Sequence, residues 1–271
     1  MKIFMLSFIV IFFVGCSKNI PSHEQRVKSL YSLFPDNSYE VQRVETKSYS
    51  FNTVHKVKKE CSLINIYFEG DGLSWITRSI ISSDPTPLNP VGFKLMLEDD
   101  SFCSIYISRV CQYVQDSRCS KRDWTSHRFS PKIINATSET MDQIKKQYNN
   151  KSFNLIGYSG GGAVAVLLTN KRKDIKSLVT VAGNLDTDLW TTYHNISALN
   201  GSLNPSHNIK NLQDIQQYHL VGTNDRIIPK DIIYSYISKF KDHSKIKYKL
   251  VEATHTKGWE QYYKDFFKKY F

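Results

Sequence analysis

The stretch Leu155-Ile156-Gly157-Tyr158-Ser159-Gly160-Gly161-Gly162 sets a serine in a Gly-x-Ser-x-Gly frame. An apolar run, Phe153 to Ile156, precedes it, and an Ala-rich apolar run, Gly161 to Thr169, follows. A strand leading into a helix is the context in which this frame yields a nucleophile. The serine then sits on a sharp turn with strained dihedrals, and small residues on both sides let strand and helix approach. The free N–H groups of the helix start face any negative charge that develops. Ser159 is therefore the expected nucleophile. It needs a base, and the base needs an orienting acid. Tyr218 to Val221 reads as a strand that exits through Gly222-Thr223-Asn224 to Asp225, and Leu250-Val251 ends a strand that exits through a loop to His255. The chain order Ser159, Asp225, His255 suits a nucleophile on such a turn. Both partners follow strand C-termini, where sites collect in open parallel sheets. The rivals are worse placed: Asp231 falls inside the following helix, Asp214 and His243 precede strands, and His219 lies within one.

This chemistry is acyl transfer to water, and it needs two N–H donors for the oxyanion. Gly160 N–H, next to the nucleophile, is the first. The turn Phe68-Glu69-Gly70-Asp71-Gly72, after the buried run Leu63 to Phe68, supplies the second, with Asp71 N–H ahead of Gly72. Tyr158, Trp190 and Tyr193 are the candidate substrate contacts, with His194 beside them. The last three lie in a polar and aromatic insertion, 183–211, that follows a strand C-terminus as a lid would.

The elements that must position these residues alternate. Strands are expected at Tyr49–Val54, Leu63–Phe68, Phe102–Ile107, Phe153–Ile156, Ser177–Ala182, Tyr218–Val221 and Ile246–Val251. Helices are expected at Ser22–Leu33, Ser74–Ile81, Ser138–Tyr148, Gly161–Thr169 and Lys230–Phe240, with a proline-rich loop over Ser82–Pro90. Strand–helix alternation implies an α/β class: a three-layer α/β/α sandwich around a mostly parallel twisted sheet. Trp259, Tyr262, Tyr263, Phe266, Phe267 and Tyr270 recur at helical spacing, as in an amphipathic C-terminal helix docked on the sheet. In the last strand Lys245, Lys247 and Lys249 alternate with Ile246, Tyr248 and Leu250, the pattern of a protected edge with one apolar face.

With 271 residues, 41% hydrophobic and 13% aromatic, the chain is long enough for one buried core and too apolar for disorder. A net charge of +11 permits an anionic partner without naming one. Met1-Lys2 and the apolar run Ile3 to Val14 read as an export signal, at about 12 residues too short to span a bilayer. Phe12-Phe13-Val14-Gly15-Cys16 resembles a bacterial lipobox, with Phe13 where Leu is usual. The expected division is a signal peptide over 1–15, a tether and edge element over 16–45 beginning at a lipidated Cys16, and a catalytic domain over 46–271. Ser17 after the cysteine favours the outer over the inner membrane, on the periplasmic face. Export disfavours nucleic acid as a partner, as does the lack of a dense basic helix. Cys61, Cys103, Cys111 and Cys119 remain, an even count that reads as two disulfides in an exported chain. Three pairings are open, Cys111–Cys119 being the simplest, and no metal-ligand spacing is present.

Over roughly residues 50–271, the serine turn, the Asp225 turn, the His255 loop and the glycine turn together resemble the α/β-hydrolase superfamily, and within it bacterial exported or lipoprotein serine hydrolases. That resemblance implies an eight-stranded, mainly parallel sheet and an acyl-enzyme without metal or organic cofactor. The resemblance supplies no substrate; a small-molecule or lipid-like ester is the expected one. The alternatives are an acyltransferase with the same three residues and a non-catalytic binding lipoprotein. The family's sheet order sets the third and fourth strands side by side, which implies a Cys61–Cys103 bridge. One departure stands out: Glu69-Gly70 replaces the common His-Gly. Two carboxylates beside an oxyanion site would oppose its charge, so Glu69 and Asp71 are expected to turn away, toward Arg78 or backbone amides.

Overall fold

The computed structural model describes residues 20–57 and 60–270. The expected signal segment and Cys16 lie outside them. The strands are β1 (Glu40–Glu45), β2 (Ser50–Val57), β3 (Leu63–Phe68), β4 (Cys103–Ile107), β5 (Ser152–Tyr158), β6 (Ile175–Val181), β7 (Gln216–Gly222) and β8 (Ile246–Val251). They form one sheet in the order β1-β2-β4-β3-β5-β6-β7-β8. The first two pairings are antiparallel, and all pairings from β4 to β8 are parallel. The helices are α1 (His23–Tyr31), α2 (Val91–Leu97), α3 (Pro131–Tyr148), α4 (Gly160–Lys171), α5 (Thr187–Tyr193), α6 (Lys230–Ile237) and α7 (Glu260–Tyr270).

Period-two alternation in the central strands sorts side chains into two core layers. Ile64, Ile66 and Phe68 of β3 and Phe153 and Leu155 of β5 pack against α3, α4 and α6. Tyr67, Ile156 and Tyr158 face the opposite way, against α1, α2 and α7. Tyr263, Phe266 and Phe267 of α7 are buried in that second layer, so the aromatic periodicity marks a docked helix. Helix α4 is buried nearly all round, as its uniformly small and apolar sequence requires. The disulfides are Cys61–Cys103, across the amino ends of the parallel pair β3 and β4, and Cys111–Cys119, within one loop.

Several expectations are corrected. Residues 74–81 are not a helix but a hairpin-like loop, with an antiparallel bridge from Trp75 to Ile81. The Thr77 hydroxyl accepts the Ser79 and Ile80 N–H groups, a local turn that competes with helix. Helix α3 starts seven residues earlier than Ser138: Ser130 caps it, Pro131 occupies its first turn, and the Thr137 and Thr140 hydroxyls bond back to Ile133 and Ala136 carbonyls. That back-bonding lets a polar-looking stretch stay helical while buried. Strand β1 and helix α2 are additional elements. Strand β8 is the sheet edge that its alternation implies: Ile246 packs on the core, Tyr248 rests edge-on against Tyr234, and Leu250 is exposed. The 183–211 segment contains α5 and two short 3₁₀ turns. It is tied down by Leu203 N–H to the Phe129 carbonyl and by Asn204 Nδ2 to Asp186 Oδ1.

Candidate active site

Strand β5 runs into α4 through Ser159, whose φ of 52° lies in the left-handed region. A side chain holds that conformation only where its surroundings over-determine it. Here Ser159 N–H bonds the Val181 carbonyl, while its own carbonyl accepts from Gly162 and Asn184. A methyl group on Gly161 would lie 2.5 Å from the main-chain oxygens of Phe68 and Glu69, so the α4 start can pack this closely on the β3 exit only as glycine.

Asp225 and His255 arrive from the exits of β7 and β8, which are laced together by Thr223 N–H to the Val251 carbonyl (2.8 Å) and Asn224 N–H to the Ala253 carbonyl (3.1 Å). His255 Nδ1 lies 2.8 Å from Asp225 Oδ2, and His255 Nε2 lies 3.1 Å from Ser159 Oγ. A carboxylate only accepts, so Nδ1 carries the proton and Nε2 of the neutral ring accepts the serine hydroxyl. Asp225 Oδ1 accepts the N–H groups of Ile227 and Ile228, which fixes the carboxylate plane. The His255 carbonyl accepts both the Tyr158 hydroxyl (2.8 Å) and Trp259 Nε1 (2.9 Å). The three sequence-predicted residues thus form one hydrogen-bonded chain. Among the rivals, His219 is buried against Thr180, Asp231 lies on α6, and His243 bonds the Phe240 carbonyl at the opposite end of the sheet.

The main-chain N–H groups of Gly160 and Asp71 have no hydrogen-bond acceptor among the described residues, as an anion site requires. Neither acidic side chain of the glycine turn reaches Arg78, which is exposed: Glu69 turns into the core, while the Asp71 carboxylate packs so closely on Gly160 that a side chain there would clash with it. Glu69 is buried and accepts N–H groups of Gly70, Gly92 and Phe93 and the Tyr106 hydroxyl. It thereby joins the turn to the N-terminus of α2. Burial outweighs those bonds and pushes its carboxyl up to about 6. Asp71 is gripped by Arg109 Nη1 (2.8 Å) and Arg128 Nη1 (2.7 Å). Burial would raise its carboxyl, yet the two guanidiniums hold it below the usual carboxylate range. Gln112 Nε2 bonds the Gly70 carbonyl at 2.9 Å. Arg109, Arg128 and Gln112 escape sequence reasoning because nothing local marks them; the pairings span 38, 57 and 42 residues.

Of the candidate substrate contacts, Tyr158 is buried and holds the His255 loop. Trp190 Nε1 bonds the Ile227 carbonyl, with the Arg128 guanidinium over its ring, and Tyr193 is exposed beside His194. Trp190 therefore ties α5 to the Asp225 turn.

A family model described as an alpha/beta hydrolase of unknown function matches residues 128–233, which include Ser159 and Asp225. No curated protein matches the sequence. Among solved structures, the chain is similar to the carboxylesterase CesB of Bacillus subtilis (11% identity, TM-score 0.60, covering 91% of this chain and 95% of that one). It is also similar to a Pyrococcus furiosus esterase (12%, 0.59, 89% and 91%) and to the naproxen esterase of Bacillus subtilis (10%, 0.59, 92% and 96%). Likeness along whole chains, at identities this low, lies in the fold. The chain has the α/β-hydrolase fold.

Proposed function

We propose that this α/β-hydrolase-fold chain is a serine hydrolase, acting on carboxylic esters through an acyl-enzyme. The observation that carries the reading is the continuous chain from Ser159 Oγ through His255 to Asp225, with the serine in a left-handed conformation at a helix start. His255 Nε2 takes the hydroxyl proton as Ser159 Oγ attacks the carbonyl carbon. Asp225 steadies the imidazolium. The oxyanion falls to the Gly160 and Asp71 N–H groups. His255 then returns the proton to the departing alcohol, and a water molecule, deprotonated by the same histidine, releases the acid. Ester rather than amide is favoured because more of the structural neighbours are named esterases than peptidases, one being an acylaminoacyl peptidase. The test is labelling by a fluorophosphonate. Wild type should label, Ser159→Ala should not, and His255→Ala should label at least about 100-fold more slowly. Undiminished labelling of Ser159→Ala would remove the nucleophile assignment.

The same reading places the chain outside the cytoplasm, anchored by a lipid on Cys16. Two disulfides suit an oxidising compartment, and no helix among the described residues is long and apolar enough to cross a membrane. Cys16→Ser should move the protein from the membrane fraction to the soluble one on cell fractionation. Unchanged distribution would count against the anchor.

A further inference from the structure

The loop that begins at the glycine turn carries more than the Asp71 N–H. Its stem closes through Leu73 N–H to the Pro85 carbonyl and Ser82 N–H to the Ser74 carbonyl, and its tip through Ile76 N–H to the Ile80 carbonyl (2.8 Å). Trp75, Ile76 and Ile80 on this tip are 40%, 42% and 56% exposed. Leu88, further along the same loop, is exposed next to Asn89, whose amide reaches the Thr256 carbonyl beside His255. Across the mouth, Ile227 is exposed just beyond Asp225. Strands β3 and β7, from whose carboxyl ends the two loops leave, stand three sheet positions or roughly 14 Å apart, with the β5 exit that carries Ser159 between them. Large apolar side chains at a mouth need a partner surface.

The charges beside them indicate which partner. Arg78 sits in the middle of the tip, Arg226 adjoins Ile227, and Lys257 lies on the His255 loop. All three are exposed and have no ion-pair partner among the described residues. Of the exposed carboxylates nearby, Asp188 of α5 is paired with His207, while Glu252 and Asp231 at the start of α6 face solvent. Apolar and aromatic side chains to enter the acyl region, with cations at headgroup level, are the composition of a bilayer-docking rim.

We propose that the 74–88 loop and the Arg226–Ile227 turn dock the open face of the active site on an anionic lipid surface. Ester substrate held in the bilayer would then enter without crossing bulk water. The docking surface stands independently of the Cys16 anchor and of the chemistry at Ser159.

The test is quenching of tryptophan fluorescence by brominated lipid, using the full chain and its Trp75→Phe variant. Trp75 is the exposed tryptophan at the rim, so the difference between the two proteins reports the loop and not the N-terminal segment. With phosphatidylglycerol vesicles, wild type should be quenched and Trp75→Phe should lose most of that quenching. Arg78→Gln/Arg226→Gln should cut the preference for phosphatidylglycerol over phosphatidylcholine by roughly 30-fold, the worth of two charges at an anionic surface. Equal quenching of wild type and Trp75→Phe would overturn the proposal. A Trp75-dependent signal equal in both lipids and indifferent to the two arginines would overturn its anionic part. Self-association without lipid, abolished by Trp75→Ser/Ile76→Ser, would make the rim a dimer face and refute membrane docking. Fluorophosphonate labelling of all these variants in solution should match wild type, so failure of docking leaves the active-site reading untouched.

Discussion

At Glu69 the site meets an electrostatic cost that the surrounding structure only partly offsets. Three backbone N–H groups and the Tyr106 hydroxyl favour the carboxylate, yet burial prevails and the folded group titrates at about 6, above its ordinary 4.5. A raised folded value means that the group favours folding when protonated. This contribution is complete below about pH 4.5 and is lost as pH rises through about 6. The loss amounts to about 2 kcal/mol. Denaturant melts from pH 4 to 7 should show a falling component in wild type that Glu69→Gln lacks; parallel profiles would mean that Glu69 ionises normally. Asp71 is the opposite case, since Arg128 and Arg109 keep it ionised. The serine, aspartate and histidine were legible in the sequence because each follows a strand end within a short local pattern. The arginines were not, because a buried guanidinium chosen by a carboxylate dozens of residues away has no local signature. Of the two expected partners, backbone amides do hold Glu69, whereas the fold turns Arg78 outward.

Among the elements, β3 to β7 and α4 were legible because most of their residues are buried, which leaves short, largely apolar stretches between turn signals. The segments that were not read correctly depend on partners. Residues 74–81 have helical length, but of their apolar side chains only Ile81 packs on the core, while Trp75, Ile76 and Ile80 stay exposed. Strand β1 is polar and exposed, and exists because β2 pairs with it. The loop after β4 is the element on which the oxyanion turn leans. It carries Arg109 and Gln112, it includes two residues with positive φ, Cys111 (68°) and Tyr113 (61°), and Cys111–Cys119 closes it over a separation of 8. A loop held in such conformations depends on its closure. Removing the bridge as Cys111→Ser/Cys119→Ser should therefore loosen Gln112 from the Gly70 carbonyl. The expected result is a fluorophosphonate labelling rate lower by roughly 10-fold, about the worth of one hydrogen bond at a reacting centre. An unchanged rate would show that the turn is held without the loop.

Across the whole molecule the two disulfides divide stability from chemistry. Cys61 and Cys103 stand at the amino ends of β3 and β4, while Ser159, Asp225 and His255 gather at the carboxyl ends of their strands, about six residues or roughly 20 Å away along the sheet. The Cys61–Cys103 bridge closes a separation of 42 that contains β3, the oxyanion turn, the rim loop and α2. Chain entropy grows with the logarithm of the loop, so this bridge should contribute about 4 kcal/mol and the separation of 8 at Cys111–Cys119 about 2.5 kcal/mol. For a chain of this size the first corresponds to roughly 7 °C in melting temperature and the second to roughly 4 °C. The two paired variants should then separate in opposite directions. Cys61→Ser/Cys103→Ser should melt lower yet label at the wild-type rate below its transition, because the parallel pairing of β3 with β4 and β5 still positions the turn. Cys111→Ser/Cys119→Ser should melt higher than that variant and label more slowly. Calorimetry beside timed labelling reads both quantities on one sample. If the Cys61–Cys103 variant lost labelling in proportion to its stability, the far end of the sheet would be coupled to the site, and the division of roles would be wrong.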